Sequence, residues 1–495
     1  MQNQLLNNED KNSFVWFEDS EYPNNAPYDP ETKYPEYCFD FDANNGAKRN
    51  DVYRMIREIF TANKMDWENI HTNKWNPLGK YINPNDTVLI KPNLVMDCNT
   101  AEKDIKKQLD CLVTHPSVVR CLFDYVYIAL QGKGTIIIAD APVQDCDFDK
   151  LLDESGYGEL FRFFKKKETL DFSVVTADLR DTVLRTDGGK IMQRSNINNK
   201  YKNIVVDLKD TSYFYNIKDK KKFRVTNYAA KDTVEHHNKG KNEYCISEVV
   251  LKADVIINVP KPKTHRIAGY TAALKNMIGI NAKKEYLPHH RQGMKEDGGD
   301  EYTGKYGVLK LVNTKGNDVK NWALKHHYDR ISNMANEFSR RVGRILDHKE
   351  NNRKKFGMWY GNDTIWRTIL DVNHIVYYLG KDRVMHEKKQ RTVLHFGDMI
   401  VCGEKEGPLH PSYKKVGGIL FSSNPVEFDY CVVKLMGFDY KRLPTLFNAL
   451  KDEQLYRRNA EHIILHSNKK EFCKKVREIS INFGFKPAKG WDGYL

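Results

Sequence analysis

"VIINVPKPKTHRIAGYTAALKNMIGI", residues 255–280, decides how this chain is read. Val255, Ile256 and Ile257 form an apolar run of the kind that fills a strand buried on both faces. After Pro260 the composition changes abruptly: Lys261, Lys263, His265 and Arg266 gather before Gly269, and Lys275 follows within "AALKNMI", a run of helix formers. Gly269 permits a tight turn, and Thr271 is placed to cap a helix that holds Lys275 in its first turn. A helix start exposes unpaired N–H groups and partial positive charge, so the stretch reads as an anion-holding strand-to-helix loop.

Further such runs flank it on both sides. "TVLIKPNLV" (87–95), "GTIIIADAP" (134–142) and "DFSVVTAD" (171–178) are strand-like, and helical patterns such as "HPSVVRCLFDYVYIAL" (115–130) separate them. This alternation predicts an α/β fold of mostly parallel, helix-covered, Rossmann-like sheets. "FGDMIVCGEKEGPLHP" (396–411) and "NPVEFDYCVVKLMGFD" (424–439) are expected to complete the sheet. The expected divisions are an irregular N-terminal arm (1–45), a first α/β domain (46–186) and a β-rich insertion (187–244). A core segment carrying the quoted motif (245–292), a loop and helical insertion (293–394) and a C-terminal α/β segment (395–495) follow.

At 495 residues the chain exceeds one ordinary core. The nine cysteines are scattered and never spaced Cys-x-x-Cys, which argues against a zinc ribbon, an iron–sulfur cluster or a disulfide framework. No apolar run is long enough to cross a bilayer, and the start lacks a leader pattern; a cytoplasmic location and no membrane partner are expected. About half of the formal net charge of +13 lies between Lys315 and Lys355, with eleven Lys or Arg against five Asp or Glu. Tyr328, Ile331, Met334, Phe338, Val342 and Ile345 recur there at helical spacing, which predicts an amphipathic helix with a basic outer face. Nucleic acid is therefore a partner to consider, though not the favoured one.

Open α/β sheets bind ligands beyond the carboxyl ends of their strands. That rule selects Lys91, Asn93, Asp140, Lys261, Lys263, His265 and Glu404 beside Glu406. His289 and His290, in "EYLPHHRQG", are placed to fold back over the site, the glycines at 293, 298 and 299 suggesting a lid over residues 284–300. A divalent metal held by His265, His289 or His290 and Asp140 is an option by ligand type. His236 and His237 read as surface residues. P-loop, dinucleotide-fingerprint, nucleophile-elbow and zincin motifs are absent.

The strings "VLIKPNLV", "THPSVV", "ADVIINVPKPKTH", "ALKNMIG" and "MGFD", in that order, resemble family 362 of the domains of unknown function. The resemblance spans roughly residues 85–155, 248–292 and 395–445. Some members add a ferredoxin-like cysteine pattern; this chain lacks it, and an iron–sulfur cluster is not expected. More distantly, "HRIAGYTAALKNMIG" is similar to a segment of the nickel-pincer lactate racemases. There the matching lysine (Lys275 here) holds the cofactor covalently and the matching histidine (His265) acts in the active site. His115 stands where those enzymes have arginine and Asn276 departs from their pattern, so the nickel-pincer nucleotide is not expected.

The expectation is thus an enzyme acting on an anionic carboxylate or phosphorylated small molecule, by isomerase- or epimerase-type acid–base chemistry. His265, Lys275 and His290 are its expected catalytic residues. Lys91, Asn93, His115, Asp140, Lys261, Lys263, Asn276, His289 and Glu404 are expected to bind substrate. The alternatives are a carboxylate-activating or group-transfer enzyme and a nucleic-acid-binding protein using residues 315–355. Cofactor and oligomeric state are left open.

Overall fold

The computed structural model describes residues 11–41, 49–187, 190–197, 200–225, 230–303, 308–350 and 356–495. Eleven strands form one sheet: β1 (Asn12–Trp16), β2 (Thr87–Pro92), β3 (Gly134–Asp140), β4 (Phe172–Asp178), β5 (Val255–Val259), β6 (Lys263–His265), β7 (Gly269–Thr271), β8 (Thr392–Glu406), β9 (His410–Ser422), β10 (Ile464–Ser467) and β11 (Lys474–Lys475). The order is β11-β10-β1-β9-β8-β5-β2-β3-β4, with β6 and β7 branching from β8. From β4 across to β8 every neighbouring pair is parallel. The pairs β8–β9 and β9–β1 are antiparallel, so the α/β sheet is mixed towards one edge.

Strand alternation builds two cores from the same residues. Leu89, Ile137 and Ile256 join a cluster on one face, while Val88, Ile90, Ile136, Ile138, Val255 and Ile257 join a second on the other. Helix α1 (Pro116–Leu130) covers the second face. The short α2 (Ala273–Asn276) follows β7, and the paired α3 (Val308–Lys325) and α4 (Asp329–Glu350) extend beyond it. Helices α5 (Ile365–Tyr378) and α6 (Pro425–Met436) cover the first face. After β4 the chain turns to the opposite edge of β2 to place β5, so β2 and β5 meet at a topological switch point.

Five expectations are revised. Residues 424–439, expected to complete the sheet, form α6 instead, started by the Asn424 cap and Pro425. The N-terminal arm is not wholly irregular: β1 sits inside the sheet between β9 and β10, its short "NSFVW" run giving little pattern to detect. The basic segment forms two helices broken at His326–Tyr328, with residues 351–355 outside the described set. Their apolar stripe faces outward, with Ile331, Met334, Phe338 and Ile345 exposed. His237 is fully buried, its Nε2 2.8 Å from the Tyr286 carbonyl oxygen, because the edge of a small sheet (Asn203–Asp207, Lys241–Ser247, His237–Asn238) folds inward. No helix of the described residues is long and apolar enough to cross a membrane.

Candidate functional site

A cavity of about 940 Å³ opens beyond the carboxyl ends of β2, β3 and β5, where the switch-point rule places it. Eight of the residues selected from sequence line it: Asn93, Asp140, Lys263, His265, Lys275, Asn276, His289 and His290. Buried amides knit its floor. Asn258 on β5 accepts from Asn276 Nδ2 (2.7 Å), Asn276 Oδ1 accepts from Asn93 Nδ2 (2.9 Å), and Asn93 Oδ1 accepts from Lys263 Nζ (2.8 Å). A chain of this kind fixes each amide's orientation and thereby the direction of the ammonium at its end. Lys263 also donates to the Leu112 carbonyl.

Four lysines (263, 275, 284 and 320) and five carboxylates (Asp140, Asp145, Glu301, Asp318 and Glu406) line the cavity. Asp140, its acid nearest the sheet, is spent on the scaffold: one oxygen accepts from Lys91 Nζ (2.8 Å), the other from the Leu94 N–H (2.7 Å). Gly279 must lack a side chain here, since a Cβ would lie 1.9 Å from Asp140 Oδ1. Burial, with the charge of Lys261, pulls the Lys263 amine down to about 7. Burial lowers Lys275 to about 8 and Lys284 to about 7. Lys284 donates to the Ala141 carbonyl (2.8 Å). Lys275 has neither a hydrogen bond nor an ion pair among the described residues, and its charge is felt by His265 and His289.

The two histidines carry complementary tautomers. The turn between β6 and β7 folds its own backbone onto His265, whose Nδ1 accepts from the N–H groups of Ile267 (3.0 Å) and Ala268 (3.1 Å). The ring proton is therefore on Nε2, and protonating Nδ1 would break both bonds. Burial and then the Lys275 charge hold its pKa well below the usual value. His289 is the reverse: Nδ1 lies 2.7 Å from the Leu287 carbonyl oxygen, so it carries the proton and leaves Nε2 as a lone pair. Burial lowers its pKa to about 4. His290 is buried with Nδ1 unpartnered among the described residues, and burial brings it to about 3.

Four selected residues do not line the cavity. Lys91 stands behind it as the partner of Asp140. Lys261 turns to Asp398 on β8 (2.6 Å), with Tyr22 Oη and the Val401 carbonyl as its other partners, because that fully buried carboxylate requires a cation. His115 belongs to the same group: its N–H donates to Asp398 (2.8 Å), its ring stacks on Tyr22 at 3.9 Å, and Nδ1 caps α1. Glu404 points to the C-terminal tail, accepting from the Lys486 N–H (2.9 Å). Arg266 is paired with Glu406 (2.8 Å).

The helix start is not an anion site either. Thr271 ends β7, α2 is one turn long, and its first N–H groups at Ala273 and Leu274 are taken by Asp429 of α6 (2.7 and 3.4 Å). Residues 284–300 are hydrogen-bonded to neighbouring segments: His290–Arg291 pairs with Phe223–Arg224, and the Arg291 N–H and Thr364 hydroxyl donate to Asp300. Among the described residues no group of three or more His, Cys, Asp or Glu is placed to hold a metal ion.

Sequence reading missed Lys284, Glu301 and the far wall. Glu301 lines the cavity and burial raises it to about 7. The far wall is the polar side of α3 and α4, including Asn317, Lys320, Asn321, Asn333 and Asn336. Burial takes Lys320 to about 8, and its Nζ donates to Asn336 (2.9 Å). Asparagines recurring opposite an apolar stripe are the one signal in the sequence that this side faces something polar.

No curated protein gives a significant match to this chain. Among solved structures, a crystal structure of a Thermotoga maritima protein, determined as a structural-genomics target, is similar at 9% identity and a TM-score of 0.28. The likeness covers 72% of this chain and 55% of that one, so this chain spans about half that protein's length. One family profile matches residues 88–204 and 208–434, which include β2 to β5, the cavity loop, β8, β9 and most of α6. By that match over most of its length, the chain belongs to the family described as Domain of unknown function (DUF362).

Proposed function

We propose that the cavity binds an anionic small molecule, a carboxylate or phosphorylated metabolite, and performs acid–base chemistry at the carbon beside its anionic group. One observation carries the reading: Lys263, Lys275 and Lys284 line one cavity without an ion pair among the described residues, and Asp140 at the end of β3 is already engaged by Lys91 and the Leu94 N–H. Buried ammonium groups without counter-charge are costly, and an anionic ligand would relieve that cost. Lys275, unpartnered and near neutrality, is the group proposed to hold the anion or take a proton from it. His265 Nε2–H would donate to oxygen as negative charge develops, and His289 Nε2 would accept.

The cavity volume favours a second reading within enzymes. About 940 Å³ is near the upper end of the usual range and exceeds the needs of a simple hydroxy acid, which suits a carboxylate-activating or group-transfer reaction on a larger substrate. Both readings require anion binding. Thermal melts with oxalate, citrate, phosphate and pyrophosphate test it: at least one should raise the melting temperature of the wild type and fail to do so for Lys275→Ala. Loss of α-deuterium from labelled 2-hydroxy acids then separates proton transfer from group transfer. Equal melting temperatures with and without every anion would remove the proposal.

A further inference from the structure

The pair α3–α4 has two opposite faces, and only the polar one is accounted for. Its inner face walls the cavity. Its outer face carries Leu311, Val319, Trp322, Ile331, Met334 and Phe338, with Met334 73% exposed and Phe338 49% exposed. Nine of the eighteen strongly exposed large apolar side chains among the described residues fall between Val308 and Ile345. They recur at the three- and four-residue spacing of a helix face. The helices meet where Gly316 faces Ser339 and one edge of the Phe338 ring, a Cβ on Gly316 coming within 2.9 Å of Ser339 Oγ and 3.2 Å of Phe338 Cδ1, and the other residues of this face stay exposed. An apolar concentration of this kind marks a contact surface.

Charge and aromatic placement identify what it contacts. Residues 308–342 hold seven Lys or Arg and three Asp or Glu. Each of the acids is paired with an arginine: Asp318 with Arg224, Asp329 with Arg194, and Glu337 with Arg341. Lys315 and Arg330 are exposed and have no ion pair among the described residues. At the turn, Trp322 and Tyr328 lie with ring centroids 5.4 Å apart, 39% and 51% exposed. Apolar residues flanked by cations, with Trp and Tyr at one end, match the interface of an anionic bilayer. A second copy on the same face would set cation against cation, and a nucleic-acid backbone would leave the apolar stripe uncovered.

We propose that the outer face of α3–α4 lies in the surface of an anionic lipid membrane, peripherally and without spanning it. This departs from the expectation of no membrane partner and is independent of the chemistry in the cavity. The full-length protein is floated with vesicles of phosphatidylcholine alone or mixed with phosphatidylglycerol. Binding should favour the mixed vesicles by more than about tenfold and weaken with salt. Lys315→Gln and Arg330→Gln should each lower it about fivefold. The double variant Met334→Glu/Phe338→Glu should abolish binding with an unchanged circular-dichroism melt. No wild-type binding to either vesicle overturns the proposal. So does a dimer by light scattering that the double glutamate variant dissociates, which would assign the face to a second copy. Binding of an arbitrary oligonucleotide that survives the glutamates and fails in Lys315→Gln/Arg330→Gln would assign it to nucleic acid.

Discussion

Lys261 and Lys263 stand two residues apart and meet opposite fates. Lys261 is fully buried in a closed group, with Asp398, Tyr22 and a carbonyl oxygen satisfying its three donors. Lys263 is as deeply buried, but its partners are a neutral amide and a carbonyl, and it faces a cavity with three more lysines. The first arrangement leaves charge and hydrogen bonds balanced within the protein. The second leaves a positive excess that the protein does not balance. A polar group whose needs the fold meets serves the fold; one left in surplus around open space points to a ligand.

Breaking the closed group should give the largest effect on stability. Lys261→Ala would strand the Asp398 carboxylate, 0% exposed, and should cost about 3–5 kcal/mol, measured by denaturant unfolding. Anion-induced stabilisation of the remaining folded protein should be unchanged. If Lys261→Ala instead removed the anion response while leaving stability intact, the contrast between the two lysines would be wrong.

Lys275→Ala should do the converse. Loss of one charge-assisted contact, worth about 1.5–3 kcal/mol, should raise the dissociation constant of the stabilising anion about ten- to hundredfold in titration calorimetry. Ligand-free stability should hold or rise, because the variant removes an unpaired amine that burial already disfavours. The reason is desolvation and not the helix dipole, since α2 is a single turn already capped by Asp429.

These two lysines also show what a sequence can and cannot disclose. The strands were legible because an apolar run is a local property, and β2, β3, β4 and β5 lie where such runs occur. The gathering of residues at strand ends was legible through the switch-point rule. Which lysine faces the cavity was not, because the choice is made by Asp398, 137 residues from Lys261, and by Asn93, 170 residues from Lys263. The stripe on α3–α4 misled for a related reason. An apolar face ordinarily turns inward, and only the fold shows that the inward side is needed as a polar wall.

pH should move stability and binding in opposite directions. Lys263, Lys275 and Lys284 titrate near 7, 8 and 7 when folded, against an ordinary value of 10.5. Between about pH 8 and 10.5 these lysines therefore hold more protons in the unfolded chain than in the folded one, so their contribution to ligand-free stability should rise with pH across that window, read as the difference between wild type and Lys275→Ala. Anion affinity should fall as pH rises through 7–8 and the ammonium groups discharge, by about tenfold for the loss of one charged contact. Melts from pH 6 to 10 with and without anion would display both slopes, and Lys275→Ala should flatten each. Slopes of the same sign would mean that these amines are not what the anion meets.

The smallest effect is expected from a carboxylate that sequence alone placed in the site. Glu404 does not line the cavity; it accepts from the Lys486 N–H at 2.9 Å, with Lys414 Nζ at 4.0 Å, and the left-handed Lys405 (φ 65°) breaks the strand alternation between it and Glu406. Glu404→Gln keeps an acceptor for that N–H and loses only a weak, distant ion pair, so stability should change by less than about 1 kcal/mol. Neighbouring Glu406 differs, since it lines the cavity and pairs with Arg266. Removing its charge would raise the positive potential on that side of the cavity, so Glu406→Gln should tighten anion binding modestly while Glu404→Gln leaves it level. Calorimetric titration of both variants with the same anion distinguishes them: a change confined to Glu404→Gln would place Glu404 in the site instead of Glu406.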